Sequence, residues 1–376
     1  MQFDKTLSKY NKNHKFKVKI NLTNYPPPKK YDFFIVIPAY CEESYILLTL
    51  KSISKQNQDL LNTTLVVVVI NNSKKEQQKI KNNNKRTFIS LVKKQFNFEL
   101  IIIDCYSSKY ALPNKLAGVG LARKIGMDFC INYAQNESLF CSIDADTIVD
   151  KNYLTTINRE YIKYKFKGAV VNFRHQKNSD STIQKAVVEY EKLLKNIAHN
   201  LGTIGSPYAF VNMGSTIICS MQAYVSIGGM PPKKATEDFY FLQKLAKYCS
   251  IHILKTILVY PSSRSEERVY LGTGFRMRNI KKNILFDDLY INPKAYDELS
   301  YLYQMMKQKW NYKSKEIMSS LPKNNSKLQC YLEKNNFINI IDKIQNNATS
   351  QDYFMNQFHR WFDSLKIYKF LKSYDK

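Results

Sequence analysis

Residues 139–146 read Leu139-Phe140-Cys141-Ser142-Ile143-Asp144-Ala145-Asp146, an apolar run that ends in two acids separated by one small residue. The run from Leu139 to Ile143 reads as a buried strand. Residues i and i+2 at a strand end point the same way, which puts the Asp144 and Asp146 carboxylates side by side at a sheet edge. Left unpaired they would repel, and a divalent cation is the natural neutraliser. A donor set of oxygens with open positions suits Mg²⁺ or Mn²⁺, which usually hold substrate phosphates as well. A turn capped by Asp, running on through Thr147 and Asp150, accounts for the same residues without chemistry.

Working upstream, three helices and three more buried strands alternate with this one. Phe33 to Ile37 is an apolar run cut by Pro38, Leu65 to Ile70 stops at Asn71-Asn72-Ser73, and Leu100 to Ile103 stops at Asp104. Helical periodicity fills about 43–55 and 75–95, and a further helix starts near Lys115 with Leu121, Ile125 and Phe129 at spacing four. Such alternation predicts right-handed βαβ units, an α/β fold with a mostly parallel sheet, and helices on both faces. Downstream, strands are expected at 169–171, 216–219 and 251–259. Ser181-x-x-Gln184 reads as a capping box opening a helix to about Asn200, and Thr236 as the N-cap of a helix to Tyr248. From 292 onward only helical periodicity remains, with Phe354, Phe358, Trp361, Leu365 and Tyr368 as an apolar stripe. Three segments follow: a basic extension and linker at 1–30 ending in Pro26-Pro27-Pro28, a main domain at 31–291, and a helical appendage at 292–376.

The 376 residues are 44% hydrophobic, enough for a large core, which excludes disordered and low-complexity classes. No stretch reaches the roughly 20 apolar residues of a spanning helix. The lysine-rich start has no apolar signal segment, and the seven Cys are scattered without a Cys-x-x-Cys, so a reducing cytoplasm is expected. The balance of 57 basic to 31 acidic residues gives +26, which favours an anionic partner. Only nine of the 57 are Arg, the residue that reads phosphates and bases bidentately, so nucleic acid is disfavoured. Peripheral contact with the inner face of a membrane stays open, carried by the basic C-terminal helices.

Two further constellations carry chemistry. Glu237-Asp238 follows the Gly228-Gly229 turn and the Pro231-Pro232 loop; the dipole of a first helical turn explains both acids, and a general base is the functional alternative. Arg264, Arg268 and Arg276 place three of the nine Arg within thirteen residues, beside Gly272 and Gly274. A hinged arginine loop can close over a diphosphate leaving group, although pairing with Glu266 and Glu267 would also occupy it.

The run Ile35-Val36-Ile37-Pro38-Ala39-Tyr40-Cys41-Glu42-Glu43, then Ala122-Arg123-Lys124-Ile125-Gly126, Asp144-Ala145-Asp146, Gly228-Gly229-Met230 and Glu237-Asp238 together resemble family 2 glycosyltransferases of the GT-A fold. Five motifs stand in that family's order across about residues 31–275. The resemblance implies that Asp146 is a ligand of Mn²⁺ or Mg²⁺, that Asp144 contacts ribose or metal, and that Asp238 is the base with Glu237 supporting it. Pro38, Ala39, Tyr40 and Glu42 would border the nucleotide. Asn71 and Asn72 stand where the family commonly has Asp; an amide both donates and accepts, so a nucleotide can still bind while the base is left unspecified. Lys115 and Arg123 are candidate contacts to diphosphate or base, with helix-surface solvation as the alternative. The expectation is a cytoplasmic, metal-dependent glycosyltransferase. It would move a sugar from a nucleotide-sugar donor to a hydroxyl acceptor (glycan, lipid-linked or small molecule), with inversion. A nucleotidyltransferase on a similar sheet and a non-catalytic basic protein for RNA or anionic lipid are the alternatives.

Overall fold

Thr64–Asn71 reads TLVVVVIN, and every one of its residues is buried. A strand covered on both faces needs a continuous apolar run rather than alternation, and β-branched residues pack best on a pleated surface. The computed structural model describes residues 2–17, 20–266, 272–321 and 326–375, and places this strand in the sheet of the first of two units. The first unit comprises Met1–Val188 and Asn212–Ile284; the second comprises Glu189–Val211 and Leu285–Lys376.

The first unit holds nine strands: β1 (Asn21–Leu22), β2 (Tyr31–Ala39), β3 (Thr64–Asn71), β4 (Glu99–Cys105), β5 (Ala134–Ser142), β6 (Ile148–Val149), β7 (Gly168–Phe173), β8 (Ile217–Ser220) and β9 (Ile251–Tyr260). Their order is β1-β4-β3-β2-β5-β8-β7-β9-β6. Parallel ladders join β4, β3, β2 and β5, and join β7 to β9, while β8 runs antiparallel to β5 and β7. The helices are α1 (Gln2–Asn13), α2 (Ile46–Ile53), α3 (Gln58–Asn62), α4 (Gln78–Val92), α5 (Val119–Cys130), α6 (Tyr153–Tyr164), α7 (Ser181–Thr203), α8 (Met221–Ser226), α9 (Glu237–Tyr248) and α10 (Thr273–Ile280). The mixed, mostly parallel α/β sheet is the one expected.

The sheet turns back at β2, since β3 and β4 follow it on one side and β5 lies on the other. In open sheets the crevice outside such a switch point is where ligands sit. Pro38, expected to end the first strand, lies inside it and pairs in register with Val69. The β5 ladder stops at Val36, whose carbonyl accepts from Ile143 N. Even-numbered residues of β2 therefore face β5, and the N–H that Pro38 lacks would point where no ladder remains.

Two segments differ from expectation. The 1–30 extension contains α1, whose Tyr10 is 1% exposed. The Tyr10 and Tyr224 hydroxyls donate to Asp128 at 2.5 and 2.7 Å, Phe16 N donates at 2.9 Å, and Lys124 Nζ lies 2.8 Å from the Tyr10 oxygen. One apolar-faced tyrosine among lysines leaves little periodic signal, which is why the segment reads as solvated. At α7, Asp180 rather than Ser181 caps the helix, accepting from Thr182 N at 2.9 Å, while Gln184 Oε1 accepts from Asn178 N.

The second unit takes most of α7, from Glu189 onward, together with α11 (Pro293–Gln308), α12 (Ser314–Ser319), α13 (Ser326–Lys334), α14 (Phe337–Gln345), α15 (Gln351–Trp361) and α16 (Ser364–Ser373). The apolar stripe is split, because Asp363 caps α16 by accepting from Lys366 N. Phe354, Phe358, Phe362, Ile367 and Phe370 are the buried set, with Phe358 and Phe362 stacked at 5.8 Å. Trp361, Leu365 and Tyr368 are only half-buried. Among the described residues no helix is long and apolar enough to cross a membrane.

Candidate functional site

Asp144 and Asp146 lie in the turn that follows β5, closed by Thr147 N donating to Asp144 O at 3.0 Å. Two outside groups hold this turn. Thr49 of α2 donates to Ala145 O at 2.8 Å, and Gln176 Nε2 donates to Asp146 O at 2.8 Å and to Tyr260 O at 2.7 Å. The adjacent acids, for which a divalent cation is the expected neutraliser, are each answered here by an arginine. Asp144 pairs with Arg123, and Asp146 with Arg264.

Arg123 sits on α5 with its side chain only 3% exposed. One guanidinium nitrogen donates to Asp144 Oδ1 and the other to Glu237 Oε1, so it joins the turn after β5 to the first turn of α9. Close approach of backbones makes this reach available. A Cβ on Gly120 would lie 2.4 Å from Lys233 O and 2.8 Å from Glu237 Cβ, and one on Gly214 would lie 2.1 Å from the Arg123 Nη2. Burial works against the Arg123 charge, yet Asp144, Glu237 and Asp238 outweigh it and hold its pKa above the ordinary value. Burial raises the pKa of Glu237 and of Asp238, with Arg123 pulling both back. Glu237 is buried, whereas Asp238 is half-buried at the rim.

Thr236 precedes these acids at φ 63°, and its hydroxyl donates to Ala235 O instead of capping α9. Cys41, between Tyr40 and Glu42, has φ 60°. A left-handed conformation in a β-branched residue is costly, and such backbone concentrates at functional sites.

Arg264 lies in the loop after β9 with its side chain 19% exposed. Its Nη2 is 2.7 and 2.9 Å from the two Glu42 oxygens and 3.0 Å from Asp146 Oδ2, and its Nε is 3.5 Å from Glu266. The guanidinium lies 4.0 Å from the centre of the Tyr45 ring. Burial opposes the charge here too, and Glu42 with Asp146 overrides it, raising the pKa.

The remaining candidates divide. Pro38 and Ala39 are buried at the end of β2 and Tyr40 is half-buried beyond them. Asn72 is fully buried with its amide committed: Nδ2 donates to Ser73 O and Tyr106 O, and Oδ1 accepts from Asn84. Asn71 is 2% exposed and its Oδ1 is among the buried atoms without a hydrogen-bond partner among the described residues. Lys115 is exposed in the loop ahead of α5, and Arg276 is half-buried in α10. Arg268 lies outside the described residues. Sequence reading missed the supporting groups Thr49, Asn84, Gln176 and Gly214, because none stands in a recognisable motif.

No protein-family model matches the sequence, and no curated protein matches it. Among solved structures, the chain is similar to S. aureus TarS 1-349 in complex with UDP-GlcNAc (TM-score 0.43, 13% identity, 88% of this chain and 91% of that one). It is also similar to the mannosyltransferase PcManGT from Pyrobaculum calidifontis in complex with GDP-Man and Mn²⁺ (TM-score 0.42, 13% identity, 96% and 94%).

Proposed function

We propose that the chain is a glycosyltransferase whose nucleotide-sugar donor lies in the crevice outside β2 and β5. The observation that carries this reading is the convergence of two acid pairs from distant segments: Asp144 and Glu237 meet on the Arg123 guanidinium. That contact sets the start of α9, with half-buried Asp238, beside the strand ends where an α/β sheet binds nucleotides. Asp238 takes the proton of the acceptor hydroxyl as its oxygen forms a bond to the anomeric carbon. The bond from that carbon to the diphosphate breaks, its electron pair leaves with the nucleoside diphosphate, and the centre inverts.

Arg264 supports the leaving group, since a guanidinium on a loop can pass from Glu42 and Asp146 to phosphate oxygens. Asn71 Oδ1 is an acceptor available to a base N–H. A divalent cation fits the site's chemistry. Glu42, Asp144, Asp146, Glu237 and Asp238 offer carboxylate oxygens, the donor type such an ion takes. Among the described residues no three acids, His or Cys are grouped so as to hold an ion by themselves, so Mn²⁺ or Mg²⁺ would need water and phosphate oxygens as further ligands. Asp146, with Glu42 beside it, would hold Mn²⁺ or Mg²⁺, which when bound supplies positive charge to the diphosphate. The acceptor is a hydroxyl compound.

The test is a thermal-shift panel of UDP, GDP, ADP and CDP with and without Mn²⁺, run on the native chain, Asp146→Asn and Asp238→Asn. One diphosphate should stabilise the native chain in a metal-dependent way, Asp146→Asn should lose that shift, and Asp238→Asn should keep it. Release of sugar and nucleoside diphosphate from the matching donor should fall by about 10²–10⁴-fold in Asp238→Asn. Release of pyrophosphate instead would replace this reading with nucleotidyl transfer.

A further inference from the structure

Arg123 was expected at the donor's diphosphate or base, but three observations remove it from reach of any ligand. Its side chain is 3% exposed, both terminal nitrogens are taken by Asp144 and Glu237, and Gly214 lies against the guanidinium so closely that a Cβ there would overlap it. The stem is as constrained as the head. α5 lies directly on the central strands, where a Cβ on Gly126 would stand 2.5 Å from Val36 Cγ1 and 3.0 Å from Val69 Cγ2. At its N-terminal end, Gly118 and Gly120 meet the backbone of Lys234, Lys233 and Pro231, and Gly120 N donates to Lys233 O at 3.2 Å. The 231–237 segment is therefore clamped to α5 on one side and tied through Arg123 on the other. A planar fork holds two carboxylates at a set separation in a way that a single ammonium does not.

We propose that Arg123 is a positioning residue: it fixes the start of α9, and with it Asp238, relative to the strand end that carries Asp144 and Asp146. The donor half of the site and the acceptor's base then keep one geometry although they come from segments far apart in the chain. Misplacing a reacting group by about 1 Å can cost about 10²-fold in rate while leaving ligand affinity alone. This inference rests on Asp238 being the base.

The test uses hydrolysis of UDP-glucose or GDP-mannose, whichever matches the diphosphate selected above, with water as the acceptor. Native chain, Arg123→Gln, Arg123→Lys, Gly214→Ala and Asp238→Asn are compared for kcat, KM and nucleoside diphosphate Kd. For Arg123→Gln, kcat should fall about 10²-fold with Kd within about threefold of native, because no ligand contact is lost. Arg123→Lys should recover about tenfold of the loss, since the charge returns without the fork. Gly214→Ala keeps every charge but displaces the guanidinium, so it should lower kcat at unchanged Kd even if Arg123→Gln does not fold. A weakened Kd at unchanged kcat would make Arg123 a donor contact and overturn the proposal. So would a Gly214→Ala enzyme with native kcat. Normal hydrolysis by Asp238→Asn overturns the base assignment instead, which separates the two failures.

Discussion

Two arginines divide the same pair of aspartates and do so in opposite surroundings. Arg123 is 3% exposed and reaches between two elements of the fold, whereas Arg264 is 19% exposed and reaches in from a loop. The inner guanidinium is enclosed together with Glu237, whose side chain is 4% exposed, while its other partner Asp144 is 35% exposed. The outer pair gathers Glu42, Asp146 and Glu266 around a guanidinium stacked on Tyr45. A buried ion pair is costly to break and contributes mainly geometry; the outer arginine differs in coming from a loop, with Glu42 and Asp146 9% and 19% exposed. The same two-residue acid motif thus meets one arginine from a helix of the frame and one from a loop.

Stability measurements separate the two most sharply. Arg123→Met leaves Glu237 and Asp144 without their counter-charge and should cost about 3–5 kcal/mol of unfolding free energy in urea, with part of the loss returned by adding Glu237→Gln. A loss below about 1 kcal/mol would mean that the inner pair is no stronger than a surface one. Arg264→Gln should lower stability by only about 1–2 kcal/mol and weaken nucleoside diphosphate binding about 10- to 100-fold, read by calorimetry. Unchanged affinity there would confine Arg264 to holding Glu42 and Asp146.

The pH dependence sharpens the inner half. Burial raises the Asp238 carboxyl and Arg123 opposes that rise. A base works deprotonated, so donor hydrolysis should increase with pH through a midpoint above the ordinary aspartate value of about 3.9. Arg123→Gln removes the opposing charge and should move that midpoint higher still. The smallest effect concerns the backbone between the two regions. Thr236→Gly relieves a left-handed β-branched residue worth about 1–2 kcal/mol, partly offset by the greater freedom of an unfolded glycine, for a net gain of about 0.5–1 kcal/mol in unfolding free energy.

Much of the frame was legible in the residues themselves. The strands at β2, β3, β4 and β5 announce themselves through unbroken apolar runs, and the acids at 144, 146, 237 and 238 stand at element ends where chemistry concentrates. What misled was polarity without context. Asn72 reads as a nucleotide contact, yet its amide is spent on Ser73, Tyr106 and Asn84, because a polar loop side chain can satisfy backbone as readily as ligand. The lysine-rich start reads as a solvated linker, yet Tyr10 on its helix reaches Asp128.

The sequence by itself determined which stretches become strands and helices and which acids end them, since burial on two faces and capping chemistry are written locally. Only the tertiary structure decided which charge meets which. Arg123 and Glu237 are 114 residues apart and Arg264 and Glu42 are 222 apart, and no periodicity encodes such a meeting. Their pairing is set by how close α5, the 231–237 segment and the strand ends can come, and glycines at 118, 120, 126 and 214 set that distance.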